Sequence, residues 1–231
     1  MGKEIVKVES LFVDINHTPV LKGLNFKVNE GQICALLGHN GAGKTVTFRS
    51  MMGILKKKSG RILINGYDSE KEQEAYKQQF SYIPEEPMLF DELNVYQHFQ
   101  VFALSYGVPE AEFKKRAHSY IEMFEMGEKV SEYPENLSKG MRQKVNIISS
   151  MIVDTPLLIV DEPFIGLDVE ASYYLEQELK KRAERGMAVL LSSHVIEKVK
   201  GFCNTYIKLQ KGEVVEYGDI SNLRGFEVSK G

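Results

Sequence analysis

Apolar residues along this chain fall into two textures. QICALLG (32–38), PLLIVDEP (156–163) and AVLLSS (188–193) contain continuous apolar runs too short for a helix. Each ends in glycine or polar residues, which suits strands buried on both faces of a parallel sheet. Shorter strands are predicted at Ile5–Val8 and Leu24–Val28, and further ones at RILING (61–66), FSYIP (80–84), TYIKLQ (205–210) and EVVEYG (213–218). Between Asp91 and about Val153 the apolar spacing changes to three and four residues. Leu93, Tyr96, Phe99, Phe102 and Ala103 line one predicted helix face, and Phe113, Tyr120, Ile121 and Phe124 another. Helices are also predicted over Lys44–Leu55 and Val169–Arg185. The alternation of strands and helices predicts an α/β fold with a largely parallel sheet. It is read as a single unit, 1–231, in which 1–90 and 154–231 form the sheet-bearing core and 91–153 an inserted helical lobe.

Composition narrows the function classes. With 231 residues, 43% of them hydrophobic, the chain can bury a sizeable core, and a net charge of −3 gives no broad basic surface for nucleic acid. Lys56, Lys57 and Lys58 read as a solvated turn. The two cysteines are far apart, and Cys34 lies inside an apolar run, which fits reduced thiols in a reducing compartment. No uncharged apolar run approaches the roughly 20 residues that span a bilayer. A membrane role would therefore come through a partner.

Candidate chemistry gathers at strand ends. GHNGAGKT (38–45) fits Gly-x-x-x-x-Gly-Lys-Thr between a predicted strand and a predicted helix. In this context glycines let Gly38, His39, Asn40, Gly41, Ala42, Gly43, Lys44, Thr45 and Val46 wrap phosphates with backbone N–H groups at a helix N-terminus. Lys44 is expected on the β- and γ-phosphates and Thr45 on Mg²⁺. Asp161, at the end of LLIV, would hold Mg²⁺. Glu162, expected on the opposite side of the pleat, could polarise a water. His194 follows the run 188–191 and is expected at the same sheet edge, near a γ-phosphate.

In this order and approximate spacing, GHNGAGKT, YIPEEP (82–87), NLSKGMRQKV (136–145), LLIVDEP, GLD (166–168) and SSH (192–194) resemble the ATP-binding cassette (ABC) ATPases over nearly the whole chain. The resemblance implies a P-loop NTPase with a RecA-like core, an antiparallel β-subdomain and a helical lobe bearing the signature motif. It also implies two subunits enclosing two ATP head to tail, with Ser138, Lys139, Gly140 and Met141 meeting the partner's nucleotide. Glu162 becomes the general base, His194 the γ-phosphate sensor, Asp168 a dimer-interface residue, and Glu85 a metal-side residue where the family usually has glutamine. Lys139 stands where the family has glycine, and Met141 where it usually has glutamine. A further departure lies in LFVDINHTPV (11–20): where the family usually stacks an aromatic residue on adenine, Ile15 stands at the matching position, with Phe12 nearby.

Similarity to bacterial exporter-type ATPases, including the Ecs-type subgroup, implies a peripheral protein on the cytoplasmic face of the membrane. It would work with a separate permease docked near 85–100, as a homodimer or pseudo-dimer. A soluble ABC ATPase used in assembly or regulation is the alternative. A small P-loop kinase would leave LSKGM and SSH unexplained.

Overall fold

A computed structural model describes residues 2–223. Two 12-residue strands, β1 (Glu4–Ile15) and β2 (Thr18–Asn29), form a hairpin, followed by β3 (Ile33–Leu37) and α1 (Lys44–Met51). Next come β4 (Ser59–Ile64), β5 (Tyr67–Asp68), α2 (Gln73–Lys77) and β6 (Phe80–Ile83). The helices α3 (Val95–Ser105), α4 (Glu110–Met123) and α5 (Lys139–Ile152) precede β7 (Leu157–Val160). The described chain ends with α6 (Val169–Glu184), β8 (Ala188–Ser193), α7 (Ile196–Lys200), β9 (Thr205–Gln210) and β10 (Glu213–Asp219).

The strands make two sheets. One is four-stranded and antiparallel, in the order β2-β1-β4-β5; the other is six-stranded, in the order β10-β9-β3-β8-β7-β6. In the larger sheet β9, β3, β8, β7 and β6 run parallel, and β10 returns antiparallel at the edge. The strand period of two then divides the core. Ile33, Ala35, Leu37, Leu158, Val160, Val189 and Leu191 face the cluster built with α3–α6. Cys34, Leu36, Leu157, Ile159, Ala188 and Leu190 face the antiparallel sheet and α1. Strands covered on both faces read as unbroken apolar runs for this reason. Both cysteines are free and buried, and burial pushes the Cys34 thiol up to about 12, so it stays protonated at neutral pH.

The hairpin is far longer than the two short strands expected. Its Asn16–His17 turn has both residues at positive φ (49° and 63°), the geometry that suits a tight hairpin connection. Buried residues are sparse and irregularly spaced along β1 (Ile5, Val6, Val8, Leu11, Val13) and β2 (Leu21, Leu24, Val28), so their apolar signal is diluted. Helix α1 stops four residues before the expected Leu55, because the chain turns at Gly53 with φ 75°. In the lysine turn Lys56 and Lys58 are exposed as expected, Lys58 pairing with Asp14 at 2.6 Å, whereas Lys57 is partly covered and pairs with Glu70 at 2.8 Å.

Candidate functional site

Parallel strands deliver their C-terminal residues to one edge of the sheet, and loops leaving that edge surround a cleft of about 570 Å³. It is lined by His39–Val46, Glu85, Asp161, Glu162 and His194, together with Val20 and Ile165. Gly38 lies outside the lining, but its carbonyl accepts a 2.7 Å hydrogen bond from Lys44 Nζ. Gly43, at φ 110°, turns the loop into α1 in a left-handed conformation that glycine adopts without steric penalty. A Cβ there would also lie 2.8 Å from Leu21 Cδ2 of the hairpin.

Asp161 and Glu162 both reach this cleft. Strict alternation would send them to opposite faces, but β7 ends at Val160 and Glu162 takes φ 45°, which turns the second carboxylate inward. Ser192 fixes the pair. Its hydroxyl donates to Asp161 Oδ1 at 2.5 Å and accepts from the Glu162 N–H at 2.9 Å. His194 Nδ1 lies 2.8 Å from Glu162 Oε1, and Lys44 Nζ lies 3.9 Å from the same oxygen. Glu85 holds its proton more tightly than an ordinary carboxylate, first because it is partly desolvated and then because Asp161 and Glu162 are close.

The signature residues lie elsewhere. Ser138 caps α5, accepting from the Met141 N–H at 3.2 Å, and Lys139 Nζ meets Glu86 Oε1 at 2.7 Å. Gly140 is required by packing: a Cβ there would sit 2.8 Å from the Gly166 carbonyl oxygen. Met141 packs half-buried against the helix-side core. None of the four lines the cleft. Asp168 caps α6 through the Ala171 N–H at 2.7 Å and pairs with Lys144 of α5 at 2.9 Å. These two contacts, the N–H first, hold its carboxyl below the usual range.

Three lining or positioning residues went unassigned in the sequence. Val20 enters from β2, whereas Phe12 packs over Gly23, with its ring 2.9 Å from where a Cβ would be. Neither Phe12 nor Ile15 lines the cleft. Ile165 and Ser192 complete the set; the serine stands two positions before His194 at the end of an apolar strand, which was the available signal.

Comparison with known proteins decides the class. Residues 21–165 match the family model described as ABC transporter. The chain belongs to the ABC transporter family. It is an ATP-binding subunit of that family, and an ATPase. This ABC ATPase is 36% identical to the ABC-type transporter ATP-binding protein EcsA of Bacillus subtilis (strain 168), over 95% of this chain and 89% of the relative. Its fold matches a solved ATP-binding subunit of an ABC transporter with TM-score 0.90 and 35% identity, covering 93% of this chain and 90% of the other. The post-hydrolysis dimer of the ATP-binding cassette MJ0796, bound to ADP and Pi, shares the fold at TM-score 0.83 and 22% identity, over 96% of this chain and 100% of that one. No described helix is long and apolar enough to cross a membrane.

Proposed function

We propose that this ABC ATPase binds ATP with Mg²⁺ in the cleft, pairs head to tail with a second ATP-binding subunit around two ATP, and powers export through a separate membrane subunit. The observation that carries this reading is the division of phosphate-binding features. Lys44, Asp161, Glu162 and His194 share one cleft, while the capped N-terminus of α5 is exposed away from it. A helix N-terminus attracts anions, and this one reaches a γ-phosphate only if a second subunit supplies the nucleotide.

Within the cleft, loop N–H groups and Lys44 hold the polyphosphate. Glu162 accepts a proton from the attacking water, while His194, with its Nδ1–H donating to Oε1, holds that carboxylate in place. The oxygen donors Thr45, Asp161 and Glu85 suit Mg²⁺, which neutralises charge on the transferring phosphoryl group when bound. Among the described residues no group of three or more His, Cys, Asp or Glu could hold a metal alone, so nucleotide phosphates and water would complete the shell. Asp168 is read as an interface residue.

Support for a membrane partner is an apolar groove beside the site. Met52, Ile54, Tyr82, Pro84 and Met88 form the apolar part of a space of about 250 Å³ whose other lining, Thr45, Arg49, Glu85, Glu86 and Asp161, joins it to the cleft, and Met88 is 76% exposed. Phe90 and Leu104 are exposed too. A membrane subunit seated here would place the ATPase on the cytoplasmic face of the membrane.

Two measurements test the proposal. Glu162→Gln is expected to keep ATP binding while cutting phosphate release at least about 100-fold, the lower end of what a general base contributes; unchanged hydrolysis removes Glu162 from that role. Purification from membranes is expected to recover a polytopic membrane protein with the ATPase. Recovery with a soluble assembly partner alone contradicts the transport reading.

A further inference from the structure

Beyond the end of α1 the chain borders a hollow that the nucleotide cleft does not use. The helix stops at Met51, the chain turns at Gly53, and Ile54 is left 65% exposed. Lys56 and Lys57 then line a pocket of about 340 Å³ together with Lys77 of α2 and a single acid, Glu70. Ser69 and Gln73 add neutral hydrogen-bond donors to its wall.

Lysines that follow a helix ordinarily serve its unpaired carbonyls and its dipole. Here the last carbonyls are already taken. That of Arg49 accepts from the Ile54 and Leu55 N–H groups, that of Ser50 from the Gly53 N–H, and that of Met51 from the Tyr76 hydroxyl at 2.5 Å. The ammonium groups are therefore available to something else. Lys57 pairs at 2.8 Å with Glu70, whose side chain is 65% exposed, and such a pair is weakly held. Among the described residues Lys56 and Lys77 form no ion pair. Three cations against one anion make the pocket positive in a chain whose net charge is −3. Ammonium groups beside hydroxyl and amide donors suit the oxygens of a phosphate.

The surroundings select the kind of phosphate. Met52 and Ile54 belong both to this pocket and to the apolar space assigned above to a membrane subunit. Exposed apolar side chains flanked by lysines suit the headgroup layer of a bilayer, where the apolar groups dip inward and the ammonium groups stay with the phosphates. We propose that the pocket of Lys56, Lys57 and Lys77 binds the phosphate of an anionic phospholipid headgroup, seating the ATPase on the membrane surface beside its membrane subunit. The inference rests on the peripheral placement proposed above. A bilayer presents many phosphates at once, so each lysine gains from a whole negative surface, which a single dissolved phosphate does not offer.

Co-sedimentation of the purified protein with vesicles tests this at one fixed ionic strength, since such binding is screened by salt. Binding is expected to phosphatidylcholine vesicles containing phosphatidylglycerol and not to phosphatidylcholine alone. Lys56→Ala and Lys77→Ala are each expected to weaken it about five-fold, the effect of one lysine at an anionic surface. Glu70→Gln, which frees Lys57, is expected to strengthen it about two-fold. Lys58 lies outside the lining and pairs with Asp14, so Lys58→Ala is expected to change binding by less than about two-fold. All four variants are expected to keep the ATP affinity of the parent, which shows that they fold. Equal binding to both vesicle types overturns the proposal, and so does a Lys58→Ala loss as large as that of Lys56→Ala. Inorganic phosphate exchanged for chloride at the same ionic strength is expected to leave vesicle binding unchanged; displacement would assign the pocket to a soluble anion. The vesicles contain no protein, so these results are independent of the co-purification test. If no membrane protein is recovered there, the transport reading fails while the vesicles still decide this one. A membrane protein lost with Lys56→Ala while vesicle binding persists would give the pocket to that polypeptide and overturn the lipid assignment.

Discussion

His98 holds the segment between Glu85 and α3 with both ring nitrogens. Nε2 accepts from the Phe90 N–H at 2.9 Å, and Nδ1 faces the Asn94 carbonyl at 2.8 Å, which defines the neutral tautomer with its proton on Nδ1. Burial lowers the affinity of the ring for a second proton, and the Asn94 carbonyl works against that shift. The folded protein therefore binds fewer protons here than the unfolded chain does. The stabilisation is full above the ordinary imidazole value of about 6.5 and is lost as pH falls through the lower folded value. His98→Phe is expected to cost about 1–3 kcal/mol at pH 7.5, because the Phe90 N–H loses its acceptor. It is also expected to reduce the drop in melting temperature between pH 7.5 and 5.5, and an undiminished drop would contradict the assignment. Residues of this kind are hard to read from sequence. Lys44, Asp161 and His194 stand beside glycine motifs or at the ends of apolar runs. Val20 and Ser192 act through neighbours remote in sequence, and although the partners of His98 lie only four and eight residues away, nothing in these stretches marks the contacts.

Helix α5 is held at both ends by different physics. Its N-terminus uses the Ser138 cap and the Gly140 approach to Gly166. At its C-terminus Arg116 donates to the Ile152 carbonyl at 2.7 Å, and Arg182 donates to the carbonyls of Met151 and Val153. These arginines come from α4 and α6, so the last carbonyls of α5 join three helices and receive the cations that the helix dipole favours there. Arg182 also pairs with Glu178 at 3.0 Å, and Tyr120 OH donates to Glu178 at 2.7 Å. Arg182→Met is expected to cost about 3–5 kcal/mol in chemical denaturation, because buried Glu178 loses its close cation and keeps only Tyr120 and the exposed Lys181 at 3.7 Å. A loss under about 1 kcal/mol would show that the network relaxes into water. The parallel strands and the amphipathic helices were legible because their burial patterns are periodic. The full length of the β1–β2 hairpin was not, since its buried positions are sparse and irregularly spaced and it breaks its own register near Ser10, at φ 47°.

For the whole molecule, the central claim is that one chain holds two halves of different sites. In the proposed function the strand-edge cleft and the α5 N-terminus each bind phosphate, and the α5 N-terminus does not line the cleft of its own protomer. That division was visible in the sequence as two separate motifs, but the Lys139–Glu86 contact, between residues 53 positions apart, emerged only in the fold. The most direct test mixes two disabled proteins, both bearing Glu162→Gln. One carries Lys44→Ala and lacks a working loop; the other carries Ser138→Arg and lacks a working signature. With ATP, neither is expected to dimerise alone. The mixture is expected to form a heterodimer, because the loop of the Ser138→Arg chain and the signature of the Lys44→Ala chain together complete one site. Analytical ultracentrifugation with one protein fluorescently labelled reads this directly. A heterodimer that appears only with ATP and only in the mixture is the predicted result; no association in the mixture, or equal association of either protein alone, would contradict the account.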